Sequence, residues 1–153
     1  MGFGKLGRKQ ELPESTKTVA LLKLLHERFP NNEGIAVTYS WGLEGLAVKQ
    51  ELQESTKIVE IIKQLHERFP NNEGIAVTYS WGLGNLAEKQ ELPERAKTVA
   101  LLKLLHELFP NNEAIAVSYS WGLGKLPEKQ ELPESTKTME ALKQLHERFP
   151  NNE

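Results

Sequence analysis

The chain has 153 residues, 39% of them apolar and 26% charged, which is an ordinary composition for a folded domain. Its formal net charge of −2 gives no basic surface for nucleic acid or an anionic membrane, and the absence of cysteine excludes disulfides and thiolate zinc sites. No stretch approaches the roughly 18 apolar residues of a membrane span, and Met1–Gln10 lacks the apolar run of a signal peptide. We therefore expect a cytoplasmic protein without nucleic-acid or membrane partners.

The first predicted helix spans residues 13–29. Pro13 suits the first helical position, Glu14 favours the positive end of the helix dipole, and Pro30 ends the helix. An apolar stripe recurs at three- and four-residue steps and predicts the buried side. Its members are Val19, Leu22, Leu25 and Phe29. Equivalent helices are predicted at 53–69, 93–109 and 133–149.

A second helix is predicted over residues 32–48, with Asn31 or Asn32 as its N-cap. One broad apolar face is predicted to be packed, and Val37 and Trp41 form another on the same helix. The members of the broad face are Ile35, Ala36, Tyr39, Leu43 and Leu46. A helix that is apolar on two sides either lies between neighbours or lines a groove.

Glycines and one proline complicate this second helix. Gly42, Gly82 and Gly122 share one phase, so we predict close helix–helix approach with the helix continuing through them; a break is the alternative. Pro127 stands where other copies have alanine, and it predicts that the helix ends or kinks near Leu46 in every copy. The residues from Lys49 to Leu52 would then belong to the connection.

These helix pairs repeat with a period of forty residues and no insertion. A partial unit, 1–30, precedes three full units, 31–70, 71–110 and 111–150, so that 1–153 form a single repeat array. Comparing 31–70 with 71–110 gives 28 identities in 40 positions, which indicates recent duplication or a designed sequence. Since no alternating β-branched run occurs, the predicted fold is an all-α solenoid of stacked antiparallel helix pairs.

The junction Phe29-Pro30-Asn31-Asn32 resembles the Pro-Asn-Asn boundary of tetratricopeptide repeats. Small or apolar residues stand at that family's packing positions. They are Ala36, Tyr39, Ser40 and Leu43 in the helix after the junction, and Ile58, Ile62 and Leu65 in the helix before the next one. The resemblance implies a right-handed superhelix. Two features depart from the family: the period is 40 rather than 34, and Ala36 takes the tryptophan position. Armadillo-type and HEAT repeats, of about 40–47 residues, are the alternative.

The resemblance also implies a concave groove lined by the helix after each junction. The groove candidates are Val37, Trp41, Glu44, Val77, Trp81, Val117 and Trp121. The lysines and asparagines of the family's carboxylate clamp are missing, so the expected ligand is an apolar or aromatic peptide. An aromatic row at helical spacing is also typical of core packing, and both readings of the tryptophans stay open.

The histidines, serines and glutamates show no pattern of a metal site or a catalytic site. His26, His66, His106 and His146 each fall in the last turn of a helix, where partial positive charge suits the dipole, and repeats lie too far apart for shared metal ligation. Every Ser, His and Glu recurs along a lattice instead of converging on one pocket. We therefore expect no enzyme activity, no metal and no cofactor.

Two positions four residues apart vary together among the copies: Ala20/Leu24, Glu60/Gln64, Ala100/Leu104 and Glu140/Gln144. Residues four apart lie on one helix face, and because a change from Leu to Gln would be costly in a packed core, that face is predicted to be exposed. The variation reflects duplication of an 80-residue pair, or it creates a contact patch. The candidate patch residues are Ala20, Leu24, Ala100, Leu104 and Leu108.

The ends of a repeat array each leave one apolar face uncovered. Met139, Leu142 and Leu145 are the predicted end-stacking residues, and a homodimer through uncapped ends is expected. The sequence thus predicts a protein-interaction scaffold that binds protein or peptide. The alternative is a self-assembling structural module whose partner is another copy of itself.

Overall fold

The computed structural model describes residues 3–126 together with Ala141, Lys143, Gln144, Leu145 and Glu147, and side chains from Glu14 onward. The described residues of 3–126 form six helices joined by short turns and contain no strand. The helices are α1 (Phe3–Arg28), α2 (Glu33–Val48), α3 (Leu52–Arg68), α4 (Glu73–Lys89), α5 (Leu92–Leu108) and α6 (Glu113–Gly124). The predicted all-α repeat fold is confirmed.

The junctions between copies begin the helices α2, α4 and α6 in the same way. The Oδ1 atoms of Asn32, Asn72 and Asn112 accept hydrogen bonds from backbone N–H groups three residues later, at 2.9 to 3.0 Å. The second asparagine of each junction, and not the first, is therefore the cap, and it satisfies an otherwise unpaired N–H group of the first turn.

Helix α1 begins ten residues earlier than predicted. It starts at Phe3 and passes through Pro13, so the prediction that Pro13 opens the helix is wrong. In α5, by contrast, Pro93 lies in the first turn as expected. The predicted starts of α3 and α5 are each within one residue of the observed ones. The helix 133–149 falls largely outside the described residues.

The predicted stop near Leu46 holds for α2, which ends at Val48, but α4 continues three residues beyond Leu86, to Lys89. Only α6 is short, ending at Gly124, with the N–H of Leu126 bonded to the carbonyl of Leu123 at 3.2 Å. Proline disfavours the helical conformation of the residue before it, so Pro127 shortens its own copy without affecting the others.

Consecutive helices within each unit pack antiparallel, and the glycines allow them to approach closely. His26 contacts Tyr39, while Leu22, one turn earlier in α1, lies against Gly42, farther along α2. A Cβ atom at Gly42 would stand 3.0 Å from Leu22 Cδ1, and one at Gly122 would stand 2.9 Å from Leu102 Cδ1. The prediction that the helices continue through the glycines, because of close approach, is confirmed.

The chain divides into two compact units, Met1–Gly82 and Leu83–Glu153, and the boundary lies inside α4. In each unit the buried apolar side chains come from both helix types. The first unit buries Ala36, Tyr39, Leu43, Val59, Ile62, Leu65 and Ile75, and the second buries Leu83, Val99, Leu102, Leu105, Ile115 and Tyr119. The organisation of 1–153 as a single array stays a prediction.

Candidate functional site

The three tryptophans lie on the surface. Trp41, Trp81 and Trp121 expose 55%, 45% and 51% of their area, so the reading of these rings as core is wrong. Serine hydroxyls beside two of them are turned inward: Ser40 and Ser80 are fully buried and donate to the carbonyls of Val37 and Val77 at 2.7 Å. The tyrosine–serine–tryptophan order therefore places polar atoms inside the helix contact and the largest aromatic ring outside.

The valines one turn before the tryptophans differ in exposure among the copies. Val37 and Val77 are half-buried, whereas Val117 is exposed. Within the first unit, a Cβ atom at Gly74 would meet the methyl groups of Val37 at 3.6 and 3.7 Å. Asn72 Nδ2 also donates to Glu33 Oε1 at 2.9 Å. The N-terminal ends of α2 and α4 are thus in contact.

Glu44 is the one acidic groove candidate, three residues after Trp41. Its side chain is partly buried, and this burial raises the pKa of its carboxyl group. The equivalent positions are Gly84 and Gly124, where an added Cβ atom would meet nothing within 4 Å. Only the first full copy therefore has a carboxyl group at this position.

In the second unit, Lys125 Nζ lies 4.6 Å from the ring centroid of Trp121. This distance is within the range of a cation–π contact, which holds a positive charge over the exposed ring. The equivalent positions of the earlier copies are Gly45 and Asn85, so the sequence already distinguishes this tryptophan from the other two.

A stack of histidine on tyrosine recurs in every described helix pair, which the sequence reasoning missed. His26–Tyr39, His66–Tyr79 and His106–Tyr119 have ring centroids 5.6, 5.6 and 5.7 Å apart and tilted planes. The equal spacing of histidine and tyrosine in every copy was the available signal. The prediction that these histidines lie in the last helical turn is confirmed for the three described ones.

Burial changes the titration of these stacks. Desolvation is the largest cause that lowers the pKa of His26, assisted by the charge of Arg68, and it also lowers the pKa of His66. Burial likewise raises the pKa of Tyr79 to about 12, with a contribution from Glu60. The neutral forms of both rings are therefore favoured in the folded state.

Each unit has a cleft beside one of its histidine–tyrosine stacks. The first, of about 390 Å³, is lined by His26 and Tyr39 together with Lys23, Glu27, Ile61, Gln64, Leu65 and Arg68. The second, of about 1010 Å³, repeats most of these residue types eighty residues later. Ala141 replaces Ile61 there, and a smaller side chain leaves more space. The cleft therefore recurs because equivalent residues recur eighty positions later in the sequence.

Arg95 makes a polar connection that the sequence reasoning also missed. Its Nε and Nη2 atoms donate to the carbonyls of Ala87 and Gln90 at 2.7 and 2.6 Å, and Nη1 donates to the carbonyl of Lys125 at 2.9 Å. In the preceding copy, the Ser55 hydroxyl lies 2.7 and 3.2 Å from the carbonyls of Ala47 and Gln50. Arg95 thus keeps the local contact and adds one to the end of α6.

The paired-variation face is exposed, as predicted. Leu24, Leu104 and Leu108 expose 60%, 54% and 64% of their area, and Ala20 and Ala100 are also exposed.

The prediction that the end-stacking residues are uncovered has a different outcome. Leu145 is buried, so the expectation that this side chain is left uncovered is wrong. Met139 and Leu142 lie outside the described residues.

No family model matches the chain, and comparisons with curated proteins and with solved structures also give no match. No helix among residues 3–126 is long and apolar enough to cross a membrane. Within that same part of the chain, histidine and acidic side chains form no group of three that could hold a metal ion. Exposed tryptophans and apolar helix faces are thus the surfaces on which a function can be proposed.

Proposed function

We propose that this chain is a non-enzymatic protein-interaction scaffold that binds an apolar or aromatic peptide segment across its tryptophan-bearing helices. The observation that carries the proposal is the exposure of Trp41, Trp81 and Trp121, about half of each ring being open to solvent. Tryptophan is strongly enriched among the residues that dominate binding energy at interfaces, because it combines a large apolar ring with a hydrogen-bond donor.

The packing of α2 against α4 supports a shared surface in the first unit. Val37, one turn before Trp41, lies against Gly74, which is two turns before Trp81, so the two rings extend from neighbouring helices that are in contact. Glu44 adds one hydrogen-bonding group beside the first ring. A short apolar peptide with one aromatic residue, and with one hydrogen-bond donor for Glu44, fits this surface.

The test is selection of a displayed random-peptide library on the full chain, followed by calorimetry with an enriched peptide. Replacing Trp81 by alanine should lower affinity at least about tenfold, because a hot-spot ring contributes more than ~1.4 kcal/mol. Since the ring is half exposed, the unfolding free energy should fall by only about 1 kcal/mol, far below the ~3–5 kcal/mol of a core aromatic.

Leu104→Ala is the matched control, because Leu104 is similarly exposed but lies on α5, which carries no tryptophan. It should leave peptide affinity unchanged. If the Trp81→Ala chain binds the enriched peptide as tightly as the unaltered chain does, the aromatic surface is not the binding site.

We also propose that the helix pairs form a tetratricopeptide-like right-handed superhelix in the cytoplasm. Burial of the small residues Ala36 and Ser40 in the helix contact supports the family-like packing. A crystal structure of the full chain, which shows the hand of the superhelix directly, tests this form, and a left-handed or armadillo-type arrangement would contradict it.

A further inference from the structure

The apolar face of α1 differs from the equivalent faces of later helices. Leu21 and Leu25 expose 62% and 45% of their area, whereas Leu65 and Leu105, which are the copies of Leu25, expose 4% and 2%. Ile61, the copy of Leu21, is half-buried. The same residue types in the same helix phase are thus covered in later copies and uncovered in α1.

The first unit shows what covers such a face. Ile61 and Leu65 line a cleft together with Lys23, His26 and Tyr39, so the preceding helix pair of this same chain lies beside them. Leu24 enlarges the uncovered area on α1, since its copy in α3 is the polar Gln64. We call Leu21, Leu24 and Leu25 the free α1 face.

We propose that the free α1 face is a homodimer interface, which packs antiparallel against the same face of a second copy of this chain. Three neighbouring exposed leucines suit an apolar helical partner, and the same face of a second copy supplies one. A pairing of identical faces stops at two chains, because each chain has one such face and the partner covers it.

Charge complementarity fixes the direction of the two helices. Glu14 lies seven residues before Leu21 and Arg28 lies seven residues after it, so both fall two turns from Leu21 on the same side of α1. In an antiparallel pair centred on Leu21, Glu14 of each copy meets Arg28 of the other. A parallel pair would instead place like charges together. Glu14 and Arg28 are both exposed.

Sedimentation equilibrium of the full chain from about 1 μM to 1 mM tests the proposal, because an interface near the ~1,200 Å² lower limit gives weak association. The mass should rise from 17.3 kDa to twice that value and then stay constant. A mass that remains 17.3 kDa, or one that rises beyond two chains, would overturn the proposal.

Substitutions locate the interface. L21E/L24E should remain at the mass of one chain, while the control L104E/L108E, which adds two glutamates at equally exposed leucines of α5, should still dimerise. Leu24→Gln, which introduces the residue present at the copy in α3, should raise the dimer Kd several-fold without affecting the circular dichroism spectrum. Unchanged association in both α1 variants would overturn the assignment.

Charge reversal tests the direction. E14R or R28E alone should raise the dimer Kd by roughly tenfold, because each change affects two symmetry-related contacts. The double variant E14R/R28E should restore the original Kd. Failure of this rescue would contradict the antiparallel pairing.

Discussion

Five glycines of α2, α4 and α6 fall into two groups that look alike in the sequence. Gly42, Gly82 and Gly122 lie against leucine and valine side chains of the preceding helix, with a Cβ atom expected at 2.9 to 3.3 Å from the nearest carbon. Gly84 and Gly124 have nothing within 4 Å of that position. The first group exists for close packing, and the second has no steric reason to be glycine.

This difference predicts opposite effects of alanine. Gly122→Ala should lower the unfolding free energy by about 1–3 kcal/mol, because the new methyl group overlaps Leu102, which is fully buried and has little room to move. Gly124→Ala should be neutral or should stabilise by up to about 1 kcal/mol, since alanine restricts the unfolded chain. Urea denaturation compares the two variants. Equal effects at the two positions would show that helix propensity alone decides.

The end of helix α6 depends on two residues that are far apart in sequence. Pro127 disfavours continuation of the helix and leaves its last carbonyl groups without the usual partners. The carbonyl of Lys125 accepts a hydrogen bond from Arg95, whose guanidinium also bonds to the carbonyls of Ala87 and Gln90. A cation at the C-terminal ends of two helices also interacts favourably with their dipoles.

Arg95→Ser should therefore destabilise the end of α6 more than that of α4. Serine reproduces the contact that Ser55 makes in the preceding copy, but its side chain is too short to donate to the carbonyl of Lys125. A loss of about 1–2 kcal/mol is expected for the charge-assisted bonds. Hydrogen exchange at the amides of Lys125 and Leu126 is the local measurement.

Arg95→Lys is the control for charge, since lysine keeps the cation without the planar fork of donors. It should recover only part of the lost protection. Protection at Lys125 and Leu126 that is unaffected by Arg95→Ser would mean that the end of α6 does not depend on this guanidinium.

The recurrent histidine–tyrosine stacks couple stability of the whole molecule to pH. The pKa values of His26 and His66 are lowered from 6.5 in the folded state, mainly by desolvation. The unfolded chain then binds more protons than the folded one when the pH falls below about 6.5, so acid favours unfolding. The melting temperature should be highest above pH 7 and should fall between pH 6.5 and the lowered folded-state pKa values.

Melting curves at pH 7.5 and pH 5 measure this effect. His66→Gln should reduce the difference between the two melting temperatures, because one of the two depressed titrations is removed. Glu44 acts in the opposite sense: its raised pKa favours folding as the pH falls toward 4.5. The comparison is therefore best made in a Glu44→Gln background. A pH dependence unchanged by His66→Gln would exclude a contribution from the stack.

The sequence alone determined the helices and their period. Asn32 and its copies, the proline after each Phe, and the three- and four-residue apolar spacing are local signals, so they predicted the helix pairs to within one or two residues in α2 to α5. The sequence also predicted that the helices continue through Gly42, Gly82 and Gly122, because glycines at the same position of every copy, beside large apolar residues, indicate helix contact. Pro127 misled only for α4, because one local breaker was extended to a copy that lacks it.

Only the tertiary structure decided which apolar residues are covered. Leu25, Leu65 and Leu105 have the same local sequence environment, yet one is half exposed and two are buried, because burial depends on which helix lies opposite. The same holds for Trp41, whose ring faces solvent while Tyr39, two residues earlier, is buried. Spacing along a helix assigns residues to faces, but only packing between helices decides which face meets protein and which meets water.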